Sequence, residues 1–291
     1  MLGQKGSAHA MAERFEFTLG SVEASIVGQA LDVDVRRFPL RIRNSSIDPV
    51  RFARVAVRVY KALELRRLSI DGEFHPSVRI AFELLGNSHV SVAMSGIDDR
   101  GGDIAVLAAT DGAQALAITQ QAGDDSLWFN LFSDDKLVDT LAAVLPPARP
   151  ASTGVHTVEQ RAQRSVSAMT ARRLAEAEED EVETDAFGNI QLMGVVRPRA
   201  SVAARESGAG VDVLERVMAG KRLGGGHIIA TGTGRHGEHL TATPLSWLDT
   251  EDGRYLVRST TGAQGTMAAE YVPAGVTDVA KAIRQVISSV Y

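Results

Sequence analysis

The sequence predicts a mixed α+β fold made of two similar halves, each a largely antiparallel sheet with helices, related by a pseudo-twofold axis. Three observations predict it. A run of strand-like segments followed by one amphipathic helix occurs twice, ending at Leu145 and again at Val290. Asp111-Gly112 and Asp252-Gly253 lie between β-rich runs, where Gly accepts the positive φ of a hairpin turn, so neighbouring strands run antiparallel. Of the 291 residues, 44% are hydrophobic and 23% charged, enough apolar material for a substantial core. With aromatic residues at only 5%, packing must lean on Val, Leu, Ile and Ala. Pro146-Pro147-Ala148-Arg149-Pro150 reads as the linker, so the halves are 12–150 and 151–291, and residues 1–11 read as a disordered leader or expression remnant.

Phe15 to Leu19 alternates and predicts a first strand, and Ser21-Val22-Glu23 opens a helix that buries Val22, Ile26 and Val27. Phe38 to Ile42 predicts a second strand at an edge, where Pro39 is tolerated. Asp48-Pro49 is a strong helix start, because Asp caps free N–H groups and Pro suits the first helical position. Phe52, Val55, Ala56, Val59 and Leu63 recur at helical spacing and form its core face. The opposite face carries Arg51, Arg54, Arg58 and Lys61, which in an acidic protein reads as a solvated face rather than an anion-binding stripe. His75-Pro76 starts a further helix through Leu85, with His75 as cap and Gly86 as stop. Four strands follow at His89–Met94, Asp103–Thr110, Ala113–Gln120 and Ser126–Phe132. Gly96 to Gly102 joins the first two as a polar, flexible loop. Ser133 or Asp134 then caps a helix with Leu137, Leu141, Val144 and Leu145 on one face.

In the second half, Thr157-Val158-Glu159-Gln160 fits a capping box, and the helix it predicts carries Val166 and Met169 before the acidic run Glu176 to Glu183. Residues 184–209 read as mostly loop, and Val211 to Ala219 as a short helix. Strands return at His227–Thr231, Leu240–Leu248, Arg254–Thr260 and Thr266–Val272. A two-residue Asp-Gly loop would set Glu251 opposite Arg254, and a three-residue loop would set Trp247 opposite Val257. Thr277 or Gly275 caps a final helix that buries Val279, Ala282, Ile283, Val286 and Ile287.

Exclusions narrow the function. There is no cysteine, which removes disulfides, thiol catalysis and cysteine-based zinc sites. A net charge of −5 argues against a general nucleic-acid binder. No apolar run approaches the ~20 residues of a membrane span, and the N-terminal MLGQKGSAHAMA has no apolar segment of a secretory signal, so a cytoplasmic location is the default. Gly232-Thr233-Gly234-Arg235-His236-Gly237 spells the dinucleotide fingerprint, but a strand follows it instead of the helix that would hold pyrophosphate, so it reads as a hairpin loop. No G-x-S-x-G elbow or Walker A loop is present. The remaining enzyme alternative is a small-molecule or metal-dependent site on the His236/His239 loop or the Asp98/Asp99 loop.

Several stretches taken in order resemble the EspG family of type VII (ESX) secretion chaperones. They are the opening FEFTLGSVEASIV, the Phe-Pro segment FPLRI and RVYKALELRRLSIDGEFHPSVRIAFELLG, then GRYLV and the final VTDVAKAIRQVI. The chain departs from that pattern at Thr266-Met267-Ala268, where the family often has a tryptophan, and in residues 184–209. The resemblance implies one fold with central sheets and a helical bundle, no catalysis and no cofactor. It also implies a protein partner, the hydrophobic tip of a PE–PPE heterodimer, held by the central sheet, a loop after an early strand and helices of the second half. On this sequence the expected contacts are Val92, Met94, Ile97, Asp98, Asp99, Arg100 and Ile104 around the 96–102 loop, with Val166 and Met169 as a second wall.

Overall fold

The computed structural model describes residues 14–42, 48–121, 123–160, 217, 219–234, 236–261 and 267–291. Among these, one antiparallel sheet of eleven strands dominates. The first half supplies β1 (Phe15–Gly20), β4 (Val90–Ile97), β5 (Asp103–Thr110), β6 (Gln114–Gln120) and β7 (Ser126–Ser133). The second supplies β8 (His156–Gln160), β9 (Arg222–Thr233), β10 (His239–Thr241), β11 (Leu245–Thr250), β12 (Gly253–Thr261) and β13 (Met267–Pro273). The short pair β2 (Ser69–Ile70) and β3 (Glu73–Phe74) lies apart. Strand order across the sheet is β1-β7-β6-β5-β4-β9-β11-β12-β13-β8, with β10 paired to β9. Each half therefore places its first strand at an outer edge and brings β4 or β9 to the centre.

Alternation along the strands divides the core into two layers. On one side, Val90, Val92, Met94, Val106, Ile228, Ala230 and Trp247 pack beneath α4 (Leu137–Ala142) and α5 (Val276–Ser288), through Leu141, Ile283 and Ile287. On the other side, Leu107, Leu116, Ile118 and Phe129 pack beneath α1 (Ser21–Ala30), α2 (Pro49–Leu65) and α3 (Pro76–Asn87). The helix starts follow their local chemistry. Asp48 accepts from the Val50 N–H at 3.0 Å, and His75 Nδ1 from the Ser77 N–H at 3.1 Å. Gly275, not Thr277, caps α5, with Asp278 accepting its N–H at 2.9 Å.

Four expectations need correction. Phe38 to Ile42 forms no strand: the Phe38-Pro39 bond is cis, and the segment is tied to β6 by the Gln120 side chain, which bonds both the N–H and the carbonyl of Arg41. Thr157 to Gln160 is not a helix start but the edge strand β8, because pairing with β13 satisfies its backbone and favours β-branched Thr157 and Val158. Gly86 lies inside α3, which runs to Asn87. At the 251–252 hairpin neither expected register occurs. Thr250 pairs with Gly253 and Trp247 with Leu256, so Glu251 and Asp252 are the loop. Gly253 sits at φ +129°, and a Cβ there would lie 2.6 Å from the Pro150 carbonyl oxygen.

The Asp252 carboxylate ties Ser152 and Thr153 to this hairpin. It accepts from the Ser152 hydroxyl, the Ser152 and Thr153 N–H groups at 3.2 and 3.3 Å, and the Tyr255 hydroxyl at 3.0 Å. The Ser152 hydroxyl does most to lower its pKa from 3.8 to about 2. A carboxyl held lower in the folded state stabilises above its unfolded pKa, and that contribution disappears as pH falls toward 2. Asp252→Asn should therefore flatten the fall in melting temperature between about pH 4 and pH 2. An unchanged acid profile would remove Asp252 from the account of acid sensitivity.

Candidate partner-docking face

On the central strands, alternation separates the residues that face α4/α5 from those on the opposite side, where Ala93 packs at the margin of the α1–α3 core. Val90, Val92 and Met94 point into the α4/α5 layer, so Ser91, Ala93, Ser95 and Ile97 of β4 point the other way. On β9, Ile228 and Ala230 are buried in that layer, which sends His227, Ile229 and Thr231 to the same opposite side. Register then fixes the neighbours. Ser95 lies beside His227, and His227 beside Ser246 of β11. One row over, Ile97 adjoins Gly225, which in turn adjoins Leu248; on the other flank Ala93 adjoins Ile229. The result is a polar row across three strands with apolar rows on both sides. His227 Nδ1 and Ser246 Oγ are 2.8 Å apart, and burial pushes the imidazole below its ordinary pKa of 6.5.

The connection from β4 to β5 is a closed turn, not the flexible loop expected. β4 extends through Ile97, so Gly96 belongs to the ladder and only residues 98–102 turn. The Asp98 N–H donates to the Gly102 carbonyl at 2.9 Å, and Asp98 Oδ1 accepts from the N–H groups of Arg100 and Gly102 at 2.9 and 2.6 Å. Gly101 supplies the positive φ, at +75°. This is a side chain organising its own turn, as Asp does readily. Ile97 stands at its base, 52% exposed, with Asp99 and Arg100 exposed at the tip.

The sequence profile of the EspG family matches residues 21–285. The chain belongs to the EspG family. Its fold is similar to that of the Mycobacterium tuberculosis type VII secretion system chaperone EspG5, whose structure was determined in complex with the PE25-PPE41 dimer. The two share 13% sequence identity at a TM-score of 0.60, over 95% of this chain and 97% of that one. No curated protein sequence matches significantly.

This EspG-family chain divides the nine expected contact residues among several places. Val92 and Met94 are 1% and 0% exposed in the α4/α5 core. Ile104, paired with Gly96, packs half-buried on that same side, across the sheet from Ile97. Ile97, Asp98, Asp99 and Arg100 are consecutive at the β4 end of this side of the sheet. Val166 and Met169, like nearly all of the helix expected at 211–219, lie outside the described residues. Sequence reading missed Ser95, His227, Ile229 and Ser246. The signal was the period-two alternation of β9, concealed because Gly224-Gly225-Gly226 reads as a turn although all three are in the strand.

Of the enzyme alternative's residues, Asp98 has a structural role in its turn, and His236 and His239 lie in and beside the β9–β10 hairpin. The fingerprint-like glycines sit in the β9–β10 hairpin, where Gly234 and Glu238 pair and the Glu238 carboxylate accepts the His236 N–H at 2.9 Å. Asp98 is engaged by its turn. Among the described residues, no three His, Asp or Glu side chains are grouped to hold a metal ion, and no helix is long and apolar enough to cross a membrane.

Proposed function

We propose that this EspG-family protein is a cytoplasmic, non-catalytic chaperone that binds a PE–PPE heterodimer and delivers it to a type VII secretion system. The family match over residues 21–285 carries this reading. The likeness to EspG5, a chaperone held with a PE–PPE dimer, supports it. In this reading, residues 12–150 and 151–291 act as two halves of one binding unit, and the partner's apolar tip lies along the β4–β9 seam. Ile97 and Ile229 provide its apolar contacts, and Asp99 and Arg100 border it; Val92 and Met94 shape the sheet from behind. Burying the exposed half of Ile97 against an apolar tip contributes about 1 kcal/mol, and a glutamate there would have to be desolvated.

Co-expression with PE–PPE pairs from the same genome tests the proposal. A pair that is insoluble alone should become soluble and co-purify with this chain. Ile97→Glu should abolish co-purification while leaving the melting temperature unchanged, since Ile97 is 52% exposed. If every pair stays insoluble and none co-purifies, the chaperone reading is wrong; if the Ile97 variant binds fully, the interface lies elsewhere.

A further inference from the structure

The polar row Ser95–His227–Ser246 lies between the apolar pair Ala93–Ile229 and Ile97, with a second polar pair, Ser91–Thr231, beyond Ala93 and Ile229. An apolar tip alone would be served better by three aliphatic residues, because each polar group covered by a partner needs a new hydrogen bond. The hydrogen-bond inventory of the row indicates what it offers. Ser246 Oγ and His227 Nδ1 are partners at 2.8 Å. If the serine hydroxyl donates to Nδ1, both atoms are satisfied and only Nε2–H still needs an acceptor. The opposite tautomer leaves two groups wanting, the serine proton and the bare Nε2. Burial keeps the ring neutral near pH 7, which this arrangement requires. In that tautomer Nε2–H is a donor, and no acceptor for it is found among the described residues.

We propose that His227 Nε2–H is the specificity contact of the docking face, and that it donates to a backbone carbonyl at the C-terminal end of a partner helix. This rests on the chaperone reading above. The last four carbonyls of a helix have no intrahelical partner, so the end of a helix is where an apolar surface still presents acceptors. The flanking rows, Ile97 with Leu248 and Ala93 with Ile229, exclude water around the bond and strengthen it. The row thus selects helix ends set in an apolar surround and rejects apolar surfaces with no free carbonyl.

The test uses the full chain and a PE–PPE pair from the same genome that it solubilises, with affinity read by calorimetry at pH 7.5. His227→Phe keeps the ring and removes the donor; it should weaken binding about tenfold or more, the cost of an unpaired buried carbonyl. His227→Gln restores a donor at similar reach and should recover most of that loss. Melting temperatures of both variants show whether the sheet is intact. Ile229→Glu separates the two levels of the argument. If it abolishes binding while His227→Phe binds like the wild type, the docking face stands and the His227 contact is wrong. If Ile229→Glu and His227→Phe both bind normally, or the wild type binds no pair, both proposals fall together.

Discussion

Replacing Arg254 with alanine should cost about 3–5 kcal/mol of unfolding free energy, measured by urea denaturation. The guanidinium is 1% exposed and binds the Asp249 carboxylate through Nε and Nη2 at 2.6 and 2.7 Å. Nη2 also donates to the Pro146 carbonyl at 2.7 Å, and the Arg254 backbone bonds Arg149, Ala151 and Ala274. One residue thus fastens the linker to β12 and β13. Removing the arginine leaves a buried carboxylate without its counter-charge, which is why the loss far exceeds that of an exposed pair. Arg254→Lys keeps the charge but not the two-pronged geometry and should lose an intermediate amount. Removing both members with Asp249→Leu and Arg254→Met should recover part of the stability. A single-variant loss below about 1 kcal/mol would mean that water replaces the pair at little cost.

The second large effect is expected at Trp247, whose ring is fully buried against a floor of glycines. A Cβ on Gly96 would lie 2.7 Å from Trp247 Cζ2, and one on Gly226 would collide with the same ring and with the Ser95 carbonyl. Trp247→Ala should cost about 3–5 kcal/mol through lost burial and the cavity left behind. Gly226→Ala should be damaging for the converse reason, by about 1–3 kcal/mol. Combining them distinguishes the two obstacles. Shrinking Trp247 clears the ring but not the Ser95 carbonyl, so the double variant should gain little over Trp247→Ala alone. Full rescue of Gly226→Ala by Trp247→Ala would show that the backbone yields and only the ring resists.

Much of the architecture was legible because local chemistry and tertiary structure agree there. Asp48-Pro49, His75-Pro76 and the α5 face announce their helices, and Asp111-Gly112 its hairpin. Prediction failed where a distant partner decides. The Thr157 capping box is a signal four residues long, whereas the ladder to β13 supplies a backbone partner for every residue from His156 to Gln160. Gly224 to Gly226 reads as a break, yet the Trp247 ring fills the space left by the missing side chain of Gly226, and the Ile97–Asp98 backbone lies close over Gly224. The proposed docking face was half visible for a related reason. Ile97 could be singled out beside a turn, but His227 acquires its significance only from Ser95 and Ser246, which register alone brings alongside.

The central seam has a consequence for how the protein is made. β4 pairs with β5 on one side and with β9 on the other, and β9 belongs to the second half of the chain. A ribosome therefore completes β1 to β7 and all four helices of the first half long before it releases the strand that closes the middle of the sheet. Throughout that interval Val90-Ser91-Val92-Ala93-Met94-Ser95-Gly96-Ile97 presents an open hydrogen-bonding edge, with no charge and no proline to deter another nascent chain. The strand pair beneath the proposed docking face cannot form until β9 has emerged, and β11 to β13 then extend the sheet beyond it. A protein proposed to keep others soluble has its own period of exposure while it emerges.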